Sequence, residues 1–424
     1  MVRGIFMALK IDTESFYAFK VVPMWRYFKD QHFSFWMICG YLFFEFVKPQ
    51  ALLPFIDFLP WAQLLLIGAM IGAVADPTVK RPSSVANIYI VLFLITILVS
   101  IATATYPEVS RHNFMLFFSW FVIYFLTINI VNTPERFYIF LLIYLFAAGK
   151  IAIGTSKVWV ARGFSFAGWG LMGPPGYFQN SGELAILMLM LFPLAFYMYQ
   201  YFKGKVAWWE KALLIGFWVC PILTILGASS RGAQVALVVQ LGLMFRKSLF
   251  RIKPLIGIII LSASIYYLLP QEQKDRFSRA GDDQTSEQRL LYWEHGWEMM
   301  KDYPFTGVGY FNFIPYYEAY YSYDMLYPRA QLPHNIFIQV GTDAGFIALF
   351  FFMLLISYCL YLPMRIHGAA GVAALDKFVA AGLGYGVLGF LIAGQFVTVS
   401  YYPFLWVHLA FIVAHRNICL TGRK

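Results

Sequence analysis

The chain has 424 residues, 60% of them hydrophobic and only 13% charged, with a formal net charge of +10. That charged share is about half of what a soluble domain carries, which excludes a soluble globular enzyme and leaves a polytopic membrane protein. Apolar stretches of about 20 residues, the length at which a helix spans the bilayer, make the expected fold all-α, and no nucleic-acid partner is expected.

Residues 1–32 mix polar and aromatic side chains and lack the charged start, apolar core and small-residue exit of a cleavable signal. They read as a cytoplasmic segment ahead of a retained first span. A transmembrane helix needs about 20 mainly apolar residues, and twelve stretches qualify or nearly do. They lie near 33–48, 61–77, 85–106, 113–131, 136–154, 183–202, 210–228, 232–247, 254–270, 335–363, 373–396 and 402–418. Residues 33–270 would then hold spans one to nine, 271–334 a long extracytoplasmic loop, and 335–424 spans ten to twelve with a short cytoplasmic tail. Pro49 to Pro60 reads as a re-entrant or interfacial turn. With both termini in the cytoplasm, most of the 32 lysines and arginines fall inside, among them Arg3, Lys10, Lys20, Arg26, Lys203, Lys205, Arg251 and Lys253, as the positive-inside rule asks.

The remaining basic residues sit on the outer side. They include Lys157, Arg162, Arg231, Lys274, Arg276, Arg279, Arg289, Lys301 and Arg329, and they point to a membrane-bound anion on that face. For the cluster Lys274 to Arg279 the alternative is a long loop that translocates regardless of charge. Arg231 stands in Gly227-Ala-Ser-Ser-Arg231-Gly232, between two apolar segments with almost no room for a loop. A guanidinium at that interface can grip phosphate oxygens at two points; a snorkelling anchor is the alternative.

Cys39, Cys220, Cys359 and Cys419 fall in or at the ends of apolar spans, with no spacing for a disulfide framework or zinc site. No P-loop, dinucleotide fingerprint or zinc helix is present, so no cofactor and no metal is expected, and Asp282-Asp283 with Glu287 reads as an exposed acidic turn.

The polar stretch from Gln271 to Pro333 has internal order. Ser286 to Met300 carries Leu290, Leu291, Trp293, Trp297 and Met300 at helical spacing, with Ser286 as N-cap and Arg289 in the first turn, where unpaired amides favour an anion. Pro304 to Phe313 is a Gly-rich turn. Six tyrosines follow within twelve residues, and Tyr316, Tyr317 and Tyr320 are candidates to stack on a sugar, or else form an aromatic patch resting on the membrane. The stretch ends at Pro333-His334-Asn335, a histidine at the water end of a membrane helix. With an ordinary pKa near 6.5 it can accept a proton at neutral pH, unless it is only a helix-start histidine satisfied by a carbonyl or water.

As a set, these residues resemble the O-antigen ligase and polymerase superfamily of bacterial envelope glycosyltransferases. The resemblance covers roughly 210 to 360. It rests on the Ser-Arg231-Gly232 junction, Arg289 ahead of Trp293, the Pro304-x-x-Gly307-x-Gly309-x-x-Asn312-Phe313 turn, and His334-Asn335 followed by an acidic residue. That acidic residue is Asp343, where the family usually has the longer glutamate. Upstream, Arg162-Gly163 through Gly173 to Glu183 looks like the family's outer loop entering a helix.

The resemblance implies a fold of the GT-C type in the bacterial inner membrane, and an inverting, metal-independent transferase acting on the periplasmic face. It would move a glycan from a polyprenyl (undecaprenyl) diphosphate carrier to an acceptor hydroxyl such as that of lipid A-core. His334, Arg289 and Arg231 would be its catalytic residues, and Arg162, Asn335 and the tyrosines its substrate contacts. A ligase, a polymerase extending another carrier-linked unit, and a polysaccharide transporter are the three classes weighed. Charges within apolar segments are few, chiefly Glu45, Glu183 and Asp343, and no matching halves occur, which disfavours transport. One dominant loop carrying the histidine favours the ligase, and the chain's ending at Lys424, soon after the last span, disfavours a protein acceptor.

Overall fold

The computed structural model describes residues 20–165, 170–249 and 284–421, together with Tyr267, Gln271 and Lys274. Among the described residues the regular structure is entirely helical. In chain order the helices that matter are α1 Val21–Lys29, α2 Phe33–Val47, α3 Trp61–Ala75, α4 Val85–Ala102, α5 Pro107–Ile130, α6 Pro134–Ala161 and α7 Ser181–Phe202. They are followed by α8 Trp208–Gly227, α9 Arg231–Met244, α10 Gln284–Asp302, α11 Phe313–Tyr320, α12 Ile336–Gly368, α13 Ala374–Ala393 and α14 Pro403–Thr421.

Eight of these, α4 to α8 and α12 to α14, are long and apolar enough to cross a membrane, and α2, α3 and α9 are shorter apolar helices. All fall on stretches expected from the sequence. Apart from Tyr267, the expected ninth span, 254–270, lies outside the described residues, as do Arg3, Lys10, Arg251, Lys253, Arg276, Arg279 and the Asp282-Asp283 turn. Between α2 and α3 the chain makes two short turns of helix, each begun by a proline, at Pro49–Leu52 and Pro54–Ile56.

Hydropathy does not say which helices are central. The most hydropathic candidate span, α4, is also the least buried, whereas α7 is buried over 83% of its apolar window. In lipid both environments are apolar, so close packing and not transfer from water selects the interior helices. The α7–α13 contact shows this: a Cβ at Gly382 would lie 2.6 Å from Leu194 Cα, and one at Gly386 2.9 Å from the Met190 carbonyl oxygen. Small residues one turn apart let these two backbones touch.

The Gly-rich turn is stitched into the bundle and does not float over it. Asn312, fully buried, accepts the Tyr106 amide at 2.6 Å through Oδ1, and its Nδ2 donates to Ser110 Oγ and the Tyr310 carbonyl. Val308 N donates to the Thr342 carbonyl at 2.8 Å and Phe346 N to that of Pro304 at 2.8 Å. The turn thus enters α12 where the helix is broken, with Ala344 and Gly345 out of helical conformation. Asp343, 1% exposed, accepts the Phe311 amide at 3.1 Å. Its carboxylate therefore holds the turn, a bond that the short aspartate side chain reaches.

Gly307 has φ +66, and a Cβ there would meet the Thr342 carbonyl oxygen at 2.3 Å. Gly307→Ala is expected to cost more than about 1 kcal/mol, read as a lower thermal unfolding midpoint in detergent. An unchanged midpoint would mean that the turn is loosely seated.

α10 differs from expectation at its start. It is already helical at Gln284, so Ser286 is inside it and is not its cap, and Arg289 lies beyond the first turn. The Gln284 and Thr285 side chains bond to the Leu326 carbonyl and the Tyr327 hydroxyl.

Candidate active site

His334 immediately precedes the N-cap of α12. Asn335 takes that cap, its Oδ1 accepting the Phe337 amide at 2.8 Å and that of Ile338 at 3.2 Å, and Ile336 N donates to the Gly394 carbonyl at the end of α13. The Asn335 oxygen is therefore occupied in capping, leaving its NH₂ as the group it can offer a ligand.

His334 itself has φ 51, a left-handed conformation that costs a non-glycine residue about 1 to 3 kcal/mol and clusters at functional sites. Two bonds impose it: His334 N donates to Thr398 Oγ1 at 2.7 Å, and the Trp293 indole N–H donates to the Pro333 carbonyl at 2.9 Å. The ring's Nε2 pairs with Gln331 Oε1 at 3.0 Å. With the amide oxygen so placed, Nε2 carries the hydrogen and Nδ1 the basic lone pair.

Burial, and then the Arg289 guanidinium, bring the His334 pKa down to about 4, so the imidazole is neutral at pH 7. Between pH 6.5 and about 4 the unfolded chain binds a proton that the folded ring refuses. Its contribution to stability is thus complete above 6.5 and is lost as the pH falls through that window.

Arg289 sits on α10 one turn before Trp293, on the same helix face, which puts it beside His334. Arg231 is the first residue of α9. Its N-cap, Ser230, is extended and makes no side-chain cap bond, and a helix N-terminus favours an anion. The link to His334 runs through aromatic contacts. A Cβ on Gly232 would lie 2.5 Å from the Phe396 ring, and Phe396 and Trp293 have centroids 6.5 Å apart. The structure thus places the Arg289 charge near His334, and the α9 start two rings away at the same end of the bundle.

Arg162 is exposed at the C-cap of α6. Farther along the chain, Leu171 N donates to the Gly227 carbonyl and Gly170 packs on the Ala228 carbonyl, both at the α8–α9 junction. Tyr316 and Tyr317 are packed in a small core with Tyr292, Met299 and Phe313. Neither offers an open face to a sugar, a correction that follows from α11 folding onto α10. Tyr320, 57% exposed, does offer one.

Some residues of the site were not singled out from sequence. Thr398 and Phe396 come from the short connection between the last two spans, and its expected placement on the outer side was the available signal. His295 is a second histidine of the loop, bonded to Glu298 at 3.1 Å and Asp324 at 2.8 Å and stacked on Tyr321. It ties α10 to the turn after α11. At the opposite end of α13 and α14, Asp376, His415 and Cys419 bring ligand-type atoms within 4.8 Å of one another, although no cysteine spacing indicated it. There His415 Nε2 and the Tyr138 hydroxyl both bond Asp376 Oδ1, a hydrogen-bonded joint between three helices.

The fold and these side chains define a helical membrane protein with a histidine–arginine site at one end of its bundle. The O-antigen ligase family profile matches residues 215–353, about a third of the chain. The matched segment contains Arg231, Arg289, His334 and Asp343; Arg162 and Thr398 lie outside it. No curated protein matches the chain.

Proposed function

We propose that the protein is a glycosyltransferase that moves a glycan from a polyprenyl diphosphate to an acceptor hydroxyl at the outer face of the inner membrane. The observation that carries this reading is the neutral, backbone-strained His334 beside Arg289, at the same end as Arg231 at the start of α9. In a single displacement the acceptor oxygen attacks the anomeric carbon, its proton passes to His334 Nδ1, and the bond from that carbon to the diphosphate oxygen breaks with inversion. Arg231 and Arg289 take up the charge that grows on the leaving diphosphate. Tyr320 can stack on the glycan, with Arg162 and the Asn335 amide as further contacts. The reading gives the two guanidiniums the role of charge stabilisation and assigns no step to a metal.

Diphosphate binding would offset the Arg289 charge and raise the basicity of His334 when donor is present. The acid limb of kcat/KM, which reports the free enzyme, is therefore expected below pH 6.5, toward about 4, and that of kcat above it. Arg289→Gln should move the free-enzyme limb upward. A limb at 6.5 in both enzymes would separate His334 from the chemistry.

Reconstitution with a polyprenyl diphosphate glycan and candidate acceptors, read by mass analysis, tests the reaction. A single transfer to lipid A-core or another molecule identifies a ligase, and a ladder growing on the carrier a polymerase. The packing of Gly170 and Leu171 on the α8–α9 junction favours the second reading, since it brings a second loop beside the donor clamp. Absence of transfer from every diphosphate donor would overturn both.

A further inference from the structure

Lys150 is the single charged residue of α6 between Arg136 and Lys157. Its side chain is exposed at one end of an apolar groove of about 430 Å³, lined by Met24 of α1, Phe43 of α2, and Ile139, Leu142 and Phe146 of α6. The ammonium donates to the Val47 carbonyl in the last turn of α2, at 3.5 Å. Among the described residues no carboxylate lies within ion-pair distance of it. An ammonium has three donors, and one in an apolar span is costly unless paired.

The position fixes the side of the membrane. The next residue after Val47, Lys48, lies over the Tyr177 ring at 5.5 Å, and Tyr177 packs on Tyr402 with centroids 5.4 Å apart, four residues after Thr398. Lys150 is therefore turned toward the His334 end. From Lys150 the groove follows α6 back to Ile139, roughly 16 Å at 1.5 Å per residue, about half of a ~30 Å hydrocarbon core.

We infer that this groove binds an anionic phospholipid of the leaflet on the His334 side, its phosphate on Lys150 and one acyl chain lying along α6 toward Met24. The charge calls for a phosphate, and the length matches one leaflet's tail; a polyprenyl chain would overrun it. Phe146, on the groove wall, also packs edge-on against Phe217 of α8 at 5.2 Å, which couples the lipid to the helix that ends at the Arg231 junction.

Native mass spectrometry of the full chain in detergent, titrated with dioleoyl phosphatidylglycerol or dioleoyl phosphatidylcholine, tests this without reference to transfer activity. Wild type should retain the anionic phosphatidylglycerol about fivefold better, Lys150→Gln should erase that preference, and Lys150→Arg should keep it. Equal retention of both lipids by wild type, or an unchanged preference in Lys150→Gln, overturns the proposal. So does undecaprenyl phosphate displacing the phosphatidylglycerol through Lys150, which would give the groove to a polyprenyl carrier.

Discussion

His334→Ala should lower the rate of glycan transfer by about 10² to 10⁴-fold, the contribution of a positioned general base. The protein should still insert and keep its unfolding midpoint within a few degrees. Alanine at φ 51 carries its own strain, so His334→Asn is the paired variant. Asparagine tolerates the left-handed region and can still donate its backbone N–H to Thr398, yet it cannot accept the proton. Loss in both variants assigns the defect to the ring. Full turnover in His334→Asn would remove the imidazole from the mechanism and leave its strained backbone as a packing feature.

Arg231→Lys should lower turnover by about 10² to 10³-fold, the usual cost of losing one preorganised charge donor. Charge is preserved in that variant, and what disappears is the planar fork that meets a diphosphate at two points. The measurement is kcat with saturating donor, compared with donor affinity. Near wild-type turnover would make Arg231 an interfacial anchor. The neighbouring Gly232 should not be altered in the same experiment, because any side chain there meets Phe396 and would disturb the path toward Trp293.

Much of the bundle is legible because a lipid-embedded helix announces itself by length and apolarity, and α2 to α9 and α12 to α14 lie where those two properties put them. Their depth in the bundle is not legible, since α4 and α7 are both apolar and only close approach separates them. In the site, His334 and Arg289 could be named because each is a titratable or charged residue in an unusual setting. Thr398 and Phe396 could not, because a threonine amid valines at 397–399 carries no signal until the fold brings it under the His334 amide. The tyrosines show the reverse error. Six phenols in twelve residues look like a wet surface, yet Tyr317 is fully buried, because so short a subdomain must use its own aromatic rings as its interior.

The seat of the Gly-rich turn in the break of α12 bears on what can be separated from what. Cutting the extramembrane part free, as a fragment from about residue 284 to 333, would strip Asn312 of Tyr106 and Ser110, Val308 of Thr342 and Phe311 of Asp343. Such an excised piece would bare several polar groups in what had been its dry underside, and it should collapse or aggregate rather than survive as a soluble miniature. A protease clipping inside intact protein should for the same reason leave the two halves clasped together through a detergent gel-filtration run.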